Sequence, residues 1–204
     1  MNIRVRALFW VIVLMSAVVF PRQTAALTVG EQAPDFTAVD INGQEQSWSA
    51  YKGKYVVLEW FNFDCPFVKK HYESGNMQRL QKKYTEQGII WISICSSAAG
   101  KQGYYNPQEL SRLAQEKGAN ATAVIQDADG AIGRLYGAKT TPHMFIIAPL
   151  GRLVYDGAID SIPGTDQEEI AGAINYVQEA LNALLQGRSV AVGLTKSYGC
   201  SVKY

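Results

Sequence analysis

Cysteine and histidine are scarce in this chain, whose 204 residues include three cysteines and two histidines. Three cysteines are too few for a domain stapled by disulfide bonds, and this small donor set argues against a soft-metal site. An odd cysteine count leaves at least one thiol unpaired in a monomer. The shortage therefore favours a chain in which at least one thiol is reactive.

Excess charge of either sign is also missing, because 19 Lys and Arg residues face 18 Asp and Glu residues. This balance predicts neither a nucleic-acid partner nor a membrane-surface partner. The sequence contains no internal repeat and no low-complexity linker. We therefore predict one domain over residues 27–187, followed by a polar tail, 188–204, that carries Cys200.

The N-terminal apolar run is too short to span a bilayer comfortably, since residues 7–20 fall below the about 20 residues that a spanning helix needs. Arg4 and Arg6 precede this run, and Pro21 and small residues follow it, as in a secretory signal. We predict that residues 1–26 are a cleaved signal peptide and that the protein is periplasmic or secreted. A retained membrane anchor is the alternative. Cleavage would remove three arginines and no acid, which changes the formal charge from +1 to −2.

Strand and helix signals alternate along the remaining sequence. The Asn42-Gly43 pair predicts a short hairpin, and the nearly continuous apolar runs at 54–63 and 88–96 predict buried strands. Pro66 predicts a helix start, and Gly75-Asn76 an interruption of that helix. Thr165 and Glu168 form a capping-box pattern, which predicts a helix that ends at Gly187.

Further strands are predicted at 122–127, 143–148 and 152–159, the last two as a hairpin. Strands that alternate with helices and then close with a hairpin and a helix predict an α/β fold. The expected architecture is a central mixed β-sheet flanked by helices, with an N-terminal hairpin and the C-terminal tail outside it.

Two stretches connect this pattern to a known family. The segment from Val29 to Phe61 resembles the opening of redoxin domains of the alkyl hydroperoxide reductase/thiol-specific antioxidant (AhpC/TSA) family. "YGAKTTPHMFII", residues 136–147, is similar to the cis-proline segment of thioredoxin-like folds. The resemblance covers roughly residues 28–186. It implies a thioredoxin-like fold with Cys65 at a helix N-terminus and Pro142 in a cis peptide bond beside it.

The chain departs from both active-site patterns of these relatives. Peroxiredoxins carry Pro-x-x-x-Thr-x-x-Cys, but Leu58 and Asn62 occupy the proline and threonine positions here. Thioredoxins carry Cys-x-x-Cys, but Val68 stands where the second cysteine would be. The segments "CPFVKKHY" and "YGCSVKY" resemble those of exported redoxins. Because Val68 replaces the second cysteine, a disulfide partner for Cys65 must come from elsewhere in the sequence.

Cys65 is the candidate nucleophile, because a helix N-terminus stabilises a thiolate. Lys69, four residues later, shares its helical face and adds a positive charge. Lys70 and His71 point in other directions, so their contribution is doubtful. Glu59 occupies the position of the buried proton-transferring acid of thioredoxins, where burial would raise its pKa. An exposed glutamate at the sheet edge is the alternative reading.

Residues near Pro142 give weaker signals. In the family, the backbone just before this proline pairs with the incoming substrate. His143 either approaches Cys65 or has a structural role on its strand, and the structural role is favoured. Arg134 precedes the segment on a helix, and we interpret it as a solvated charge rather than as a peroxide-binding arginine.

Cys200 is the preferred partner of Cys65, because a cysteine in a mobile tail can reach Cys65 of its own chain or, in a homodimer, of a second chain. Cys95, which ends a buried strand, is the alternative partner, although a small core residue is its more ordinary role.

These residues suggest three functions. The leading hypothesis is a peroxiredoxin-like antioxidant oxidoreductase without a cofactor: Cys65 attacks peroxide, Cys200 resolves the product to a disulfide, and an external, thioredoxin-like dithiol reduces it. The alternative is thiol-disulfide exchange with exported client proteins. A third hypothesis is a non-enzymatic module that binds a partner or copper, against which Lys69 stands at a position that copper chaperones of this fold fill with cysteine.

Overall fold

The computed structural model describes residues 27–204, which begin with the predicted hairpin. Strands β1 (Ala38–Val39) and β2 (Glu45–Gln46) pair in antiparallel fashion around the Asn42-Gly43 turn. Gly43 has a φ of 79°, a backbone conformation that glycine adopts without strain. The carboxylate of Asp40 accepts hydrogen bonds from two backbone N–H groups of the turn. The predicted signal peptide lies outside the described residues.

A 3-10 turn at Ser49–Tyr51 leads from the hairpin into a region where strands and helices alternate. In chain order the elements are β3 (Val56–Trp60), α1 (Pro66–Glu73), α2 (Asn76–Thr85), β4 (Ile90–Cys95), α3 (Pro107–Glu116), β5 (Ala123–Gln126), α4 (Ala131–Tyr136), β6 (Thr140–Thr141), β7 (His143–Ile147), β8 (Leu153–Gly157), α5 (Tyr176–Leu185) and β9 (Cys200–Ser201). Within residues 27–204, none of the helices combines the length and apolar character that a membrane span requires.

The central sheet has five strands in the order β5-β4-β3-β7-β8. Strands β3, β4 and β5 run parallel to one another, whereas β7 and β8 join in antiparallel fashion. The mixed sheet predicted from the sequence is therefore confirmed. Every residue of β3, β4 and β7 is buried, as expected for strands that are covered on both faces.

Two apolar cores fill the two faces of this sheet. The first contains Phe61, Cys65 and Trp91 together with residues of α1, α2, α3 and α5. The second contains Trp60 and Phe145 with residues of α4 and of the N-terminal segment. Successive residues of β3 alternate between the cores because strand side chains alternate between faces. Glu59 consequently points into the same core as Phe61 and Cys65.

The helix predicted from Pro66 has the expected start and interruption. Pro66 is its first residue, and Gly75, with a φ of 72°, separates α1 from α2. The left-handed conformation of Gly75 turns the chain between the two helices. This lets both helices pack on the sheet, with α1 directly after the strand that leads to Cys65.

The single helix predicted from Thr165 and Glu168 is wrong. The chain forms a 3-10 helix over Gln167–Gly172, becomes extended, and only then begins α5. Asn175 caps α5 through its side-chain oxygen, and it also forms a β-bridge with Asp160. The backbone is extended here because it pairs with the 160–161 segment, a tertiary contact that overrides the local helical pattern.

The C-terminal tail also differs from expectation, because it packs along the domain instead of being mobile. Leu194 forms a β-bridge with Asp156 on β8, and the hydroxyl groups of Thr195 and Tyr155 are hydrogen-bonded to each other. Strand β9 then pairs with β6, and the Tyr204 hydroxyl donates to the Ala138 carbonyl. The tail thus follows a fixed course that places Cys200 beside β6.

Candidate active site

Cys65 lies where the loop after β3 meets helix α1. It is the N-cap residue of α1, with Pro66 at the first helical position. Its thiol is fully buried, and Sγ donates a hydrogen bond to the Thr141 carbonyl oxygen at 3.1 Å. The strand register and the proline therefore set the thiol at a helix N-terminus, against the segment before Pro142.

Cys200 is the strand partner of Thr141, the residue whose carbonyl oxygen Cys65 contacts. Strands β6 and β9 pair in antiparallel fashion, with Thr141 opposite Cys200 and Thr140 opposite Ser201. Cys65 and Cys200 are close enough for each to shift the pKa of the other. Both cysteines are free thiols, Cys65 buried and Cys200 half-buried. The structure thus brings together the two cysteines that the sequence selected as a pair.

The surroundings of Cys65 favour its thiolate. Burial by itself raises the pKa of Cys65, but hydrogen bonds from Cys200, from Thr141 and from the Val68 backbone N–H outweigh it. The net result is a pKa below the ordinary value for a cysteine. The Val68 contribution comes from the first turn of α1, which is the effect expected at a helix N-terminus.

Cys200 has the opposite tendency. Burial raises its pKa, and the hydrogen bond with Cys65 and the negative charge of the Cys65 thiolate raise it further, to about 11. The positive charge of Lys203 lowers the pKa of Cys200, but by less than burial and Cys65 raise it. Of the two thiols, Cys65 is therefore the one that loses its proton first, while Cys200 keeps its own.

Cys95 does not join this pair. Its thiol is fully buried at the end of β4, where Sγ donates to the Gly103 carbonyl oxygen at 3.2 Å. Burial raises its pKa to about 12. A thiol in this environment is protonated at neutral pH and shielded from reagents. Cys95 is thus a core side chain in this structure.

Lys69 is exposed to solvent on the surface of α1. Its side chain lines a surface depression together with Asp64 and Glu73. The groups that stabilise the Cys65 thiolate are the neighbours named above, and Lys69 is not among them.

Glu59 is fully buried at the centre of the sheet, so the alternative of an exposed edge glutamate does not apply. Its carboxylate accepts hydrogen bonds from four side chains: Tyr72, Gln81, Trp91 and Ser93. Burial raises the pKa of Glu59 above its ordinary value, and the four hydrogen bonds oppose that rise. The predicted direction of the pKa shift is present, but the surroundings are polar rather than purely apolar.

Pro142 follows a cis peptide bond, as the resemblance implies. The segment before it, β6, is the edge that was expected to receive a substrate backbone. Here β9 of the same chain pairs with that edge. The Thr141 hydroxyl is buried and has no hydrogen-bond partner among the described residues.

His143 and Arg134 have structural positions. The His143 ring contacts the Asp156 carboxylate at 2.7 Å and accepts from the Lys139 backbone N–H at 3.2 Å. The Arg134 guanidinium stacks on the Tyr204 ring, 4.7 Å from its centroid. Neither residue contacts Cys65 in the structure, which agrees with the favoured readings of both.

One group of residues around the tail was missed in the sequence. The Tyr198 hydroxyl donates to Asp160, a nearly fully buried carboxylate. The same carboxylate lies 3.9 Å from Lys70 Nζ and 3.8 Å from His71 Nε2, both on α1. A basic pair on a helix ordinarily indicates a solvated face. The sequence signal for this group was therefore limited to Tyr198, which lies two residues before Cys200.

Comparison with known proteins agrees with this geometry. Residues 29–156, more than half of the chain, match the AhpC/TSA family. The chain belongs to the AhpC/TSA family. Among curated proteins, the thiol-disulfide oxidoreductase ResA of Geobacillus thermodenitrificans is 27% identical over 135 residues, which is 66% of this chain and 71% of that protein.

Solved structures confirm the thioredoxin-like fold of this AhpC/TSA member. An uncharacterized conserved protein from Geobacillus kaustophilus has a TM-score of 0.73 and 27% identity, covering 87% of this chain and 93% of its own. The thioredoxin domain of a thiol-disulfide oxidoreductase from Bacteroides vulgatus has a TM-score of 0.52 and 18% identity, covering 72% and 97%. The expected fold class is therefore confirmed.

Proposed function

We propose that the protein is a thiol-disulfide oxidoreductase that exchanges disulfides with polypeptide clients, with Cys65 as the attacking and Cys200 as the resolving cysteine. The observation that carries the proposal is the proximity of a buried thiol of lowered pKa, Cys65, to a second thiol, Cys200, on the strand that pairs with Thr141. Family relatives named thiol-disulfide oxidoreductases support the same reaction class. The peroxidase hypothesis, our first expectation from sequence, receives less support.

The proposed reaction has two exchange steps. The Cys65 thiolate attacks a client disulfide, forming a mixed disulfide and releasing one client sulfur as thiolate. The Cys200 thiolate then attacks Cys65 Sγ, which releases the second client sulfur and leaves a Cys65–Cys200 disulfide. The client is reduced by two electrons and the protein is oxidised by two. An external dithiol returns the pair to the reduced state.

The coupled pKa values suit this order. Cys200 has a pKa of about 11 partly because Cys65 hydrogen-bonds to it and carries a negative charge. Once Cys65 is bonded to a client sulfur, that charge is gone, and the pKa of Cys200 falls. Cys200 therefore becomes a better nucleophile at the moment when a resolving thiolate is needed.

The surroundings of Cys65 provide little for a peroxide. Asn62 stands where peroxiredoxins have threonine, and its amide is engaged with the Asp64 N–H and the Gln102 carbonyl. Leu58, at the proline position, is buried in the core on the opposite face of the sheet. Arg134, on α4, stacks on Tyr204 instead of facing the thiol. This environment favours a disulfide over a peroxide as the substrate.

Two assays on the same preparation test the proposal, with insulin as the protein disulfide and hydrogen peroxide as the competing oxidant. We expect wild type to catalyse insulin reduction by dithiothreitol, and C65S to lose this activity. We expect C200S to accumulate a mixed disulfide at Cys65, and C95S, the matched control, to retain activity. Cys65-dependent peroxide consumption without insulin reduction would instead establish the peroxidase. The exported location, in which clients with disulfides occur, stays a prediction from residues 1–26.

A further inference from the structure

Strand β9 covers the thiol that is proposed to react. Cys65 is fully buried, and Tyr198 and Cys200 pack against the core that contains it, while β9 pairs with β6 beside it. Gly199 permits this close approach, because a Cβ atom there would lie 2.1 Å from the Thr141 carbonyl oxygen. Movement of this segment away from β6 would therefore uncover the side of Cys65 on which Cys200 lies.

The covering segment is attached to α1 through Tyr198. Its hydroxyl donates to Asp160, and its ring packs edge-on against Phe67, with ring centroids 5.9 Å apart. Phe67 is the second residue of α1, the helix that has Cys65 as its cap. Tyr198 thus connects the chain just before Cys200 to the helix that positions Cys65.

Asp160 is itself held by buried positive charge. Lys70 is fully buried and donates to the Ile162 carbonyl oxygen at 2.9 Å and to the Glu169 carboxylate at 3.1 Å. Asp160 lies beside this ammonium group and accepts a hydrogen bond from the Ile162 backbone N–H. Because the acceptor is ionic and fixed on several sides, its hydrogen bond to Tyr198 is of the stronger, charge-assisted kind.

We propose that Tyr198 and Asp160 form a latch that holds Cys200 over Cys65, and that opening of this latch admits the client to Cys65. The proposal rests on the proposed function and adds a positioning residue to it. Tyr198 touches no reacting atom. It acts through β9, by setting how much of the time Cys200 lies against Cys65.

The latch predicts two effects of opposite sign when it is weakened. Exposure of Cys65 to reagents rises, because the segment leaves β6 more often. Closure of the Cys65–Cys200 disulfide slows, because the effective concentration of Cys200 at Cys65 falls. A general loss of stability would expose all three cysteines together, so Cys95, buried at the end of β4, serves as an internal reporter.

The test compares Y198F with Y204F. Both variants remove one tail tyrosine hydroxyl, but Tyr204 donates to a neutral backbone carbonyl on the other side of β9. Reduced proteins are treated with iodoacetamide, and alkylation of each cysteine is followed by peptide mass spectrometry. In a second experiment, oxidised glutathione forms the mixed disulfide at Cys65, and its conversion to the Cys65–Cys200 disulfide is timed.

For Y198F we expect alkylation of Cys65 to be about tenfold faster, because the loss of a hydrogen bond to a charged group changes an equilibrium constant by about tenfold or more. Closure of the disulfide should be several-fold slower, and alkylation of Cys95 should be unchanged. Y204F should behave like wild type in both experiments. D160N, which keeps the shape of the side chain, should repeat the Y198F result. Equal behaviour of Y198F and Y204F, or a rise at Cys95 as large as at Cys65, would overturn the latch. A wild-type protein that never forms the Cys65–Cys200 disulfide would instead refute the proposed function.

Discussion

The hydrogen bond from Cys200 to the Cys65 thiolate provides the sharpest test of the site chemistry. C200A removes the donor, whereas C200S keeps an O–H donor on a side chain of nearly the same size. Both variants also remove the second thiol, so neither can form the disulfide. A difference between them therefore reports on the hydrogen bond rather than on access or on disulfide closure.

The expected magnitude follows from two known quantities. A hydrogen bond to a charged group contributes about 1.5 to 3 kcal/mol, and 1.36 kcal/mol corresponds to tenfold, so C200A should contain about 10- to 100-fold less thiolate at mildly acidic pH. A more basic thiolate is intrinsically more reactive, with a Brønsted coefficient of about 0.4 to 0.5, which offsets nearly half of that logarithmic loss. Alkylation of Cys65 should therefore be about 3- to 10-fold slower in C200A than in C200S.

The assay is the rate of iodoacetamide alkylation of the Cys65 peptide, measured across pH by mass spectrometry. The pH midpoint should be higher in C200A than in C200S. Above both midpoints, where each thiolate is fully formed, the C200A rate should exceed that of C200S by about 3- to 10-fold, because its thiolate is the more basic. If the two variants share one midpoint and one rate at acidic pH, Cys200 does not stabilise the thiolate, and the argument for a coupled pair fails.

Three further predictions concern the structure around the site. G199A should speed alkylation of Cys65 and slow disulfide closure, because its Cβ would clash with β6, whereas G137A, equally left-handed but with open space around it, should leave both rates unchanged. E59L should lower the free energy of unfolding in urea by at least about 3 kcal/mol, because it orphans four buried donors, while exposed E45L should stay within about 0.5 kcal/mol of wild type. His71 stays neutral in the folded state because burial and then the charge of its lysine neighbour lower its pKa to about 3, while the unfolded chain binds this proton below about pH 6.5. The contribution of this residue to stability is therefore full above pH 6.5 and falls by about 2 kcal/mol between pH 7 and pH 5. The difference between the free energies of unfolding of wild type and H71Q, measured in urea at each pH, should show this loss. Parallel pH profiles of the two proteins would contradict it.

The elements specified by local signals could be predicted from the sequence. Asn42-Gly43 marked the hairpin, Pro66 marked the start of α1, and Gly75 its end, because turn and cap preferences act over a few residues. The continuous apolar run that contains Glu59 likewise identified β3 as a buried strand. The resemblance added the fold and the candidate nucleophile, Cys65.

Other features depend on residues that are distant in sequence. The predicted helix from Thr165 fails because Asn175 pairs with Asp160, a contact that no local pattern encodes. The sequence did not reveal that Lys70 is buried, because its acid partners, Asp160 and Glu169, lie about 90 or more residues later in the chain. Tertiary packing decided the burial of that charge.

The sequence by itself determined where Cys65 lies along the chain, at the junction of a buried strand and a helix that begins with proline. Only the tertiary structure decided which group faces it. Cys200 reaches Cys65 because β9 pairs with β6 and Tyr198 binds Asp160, contacts between segments that are well separated in the sequence. Local preferences fix the conformation of each segment, but the relative position of two distant segments is fixed by the hydrogen bonds and packing that form only when the whole chain folds.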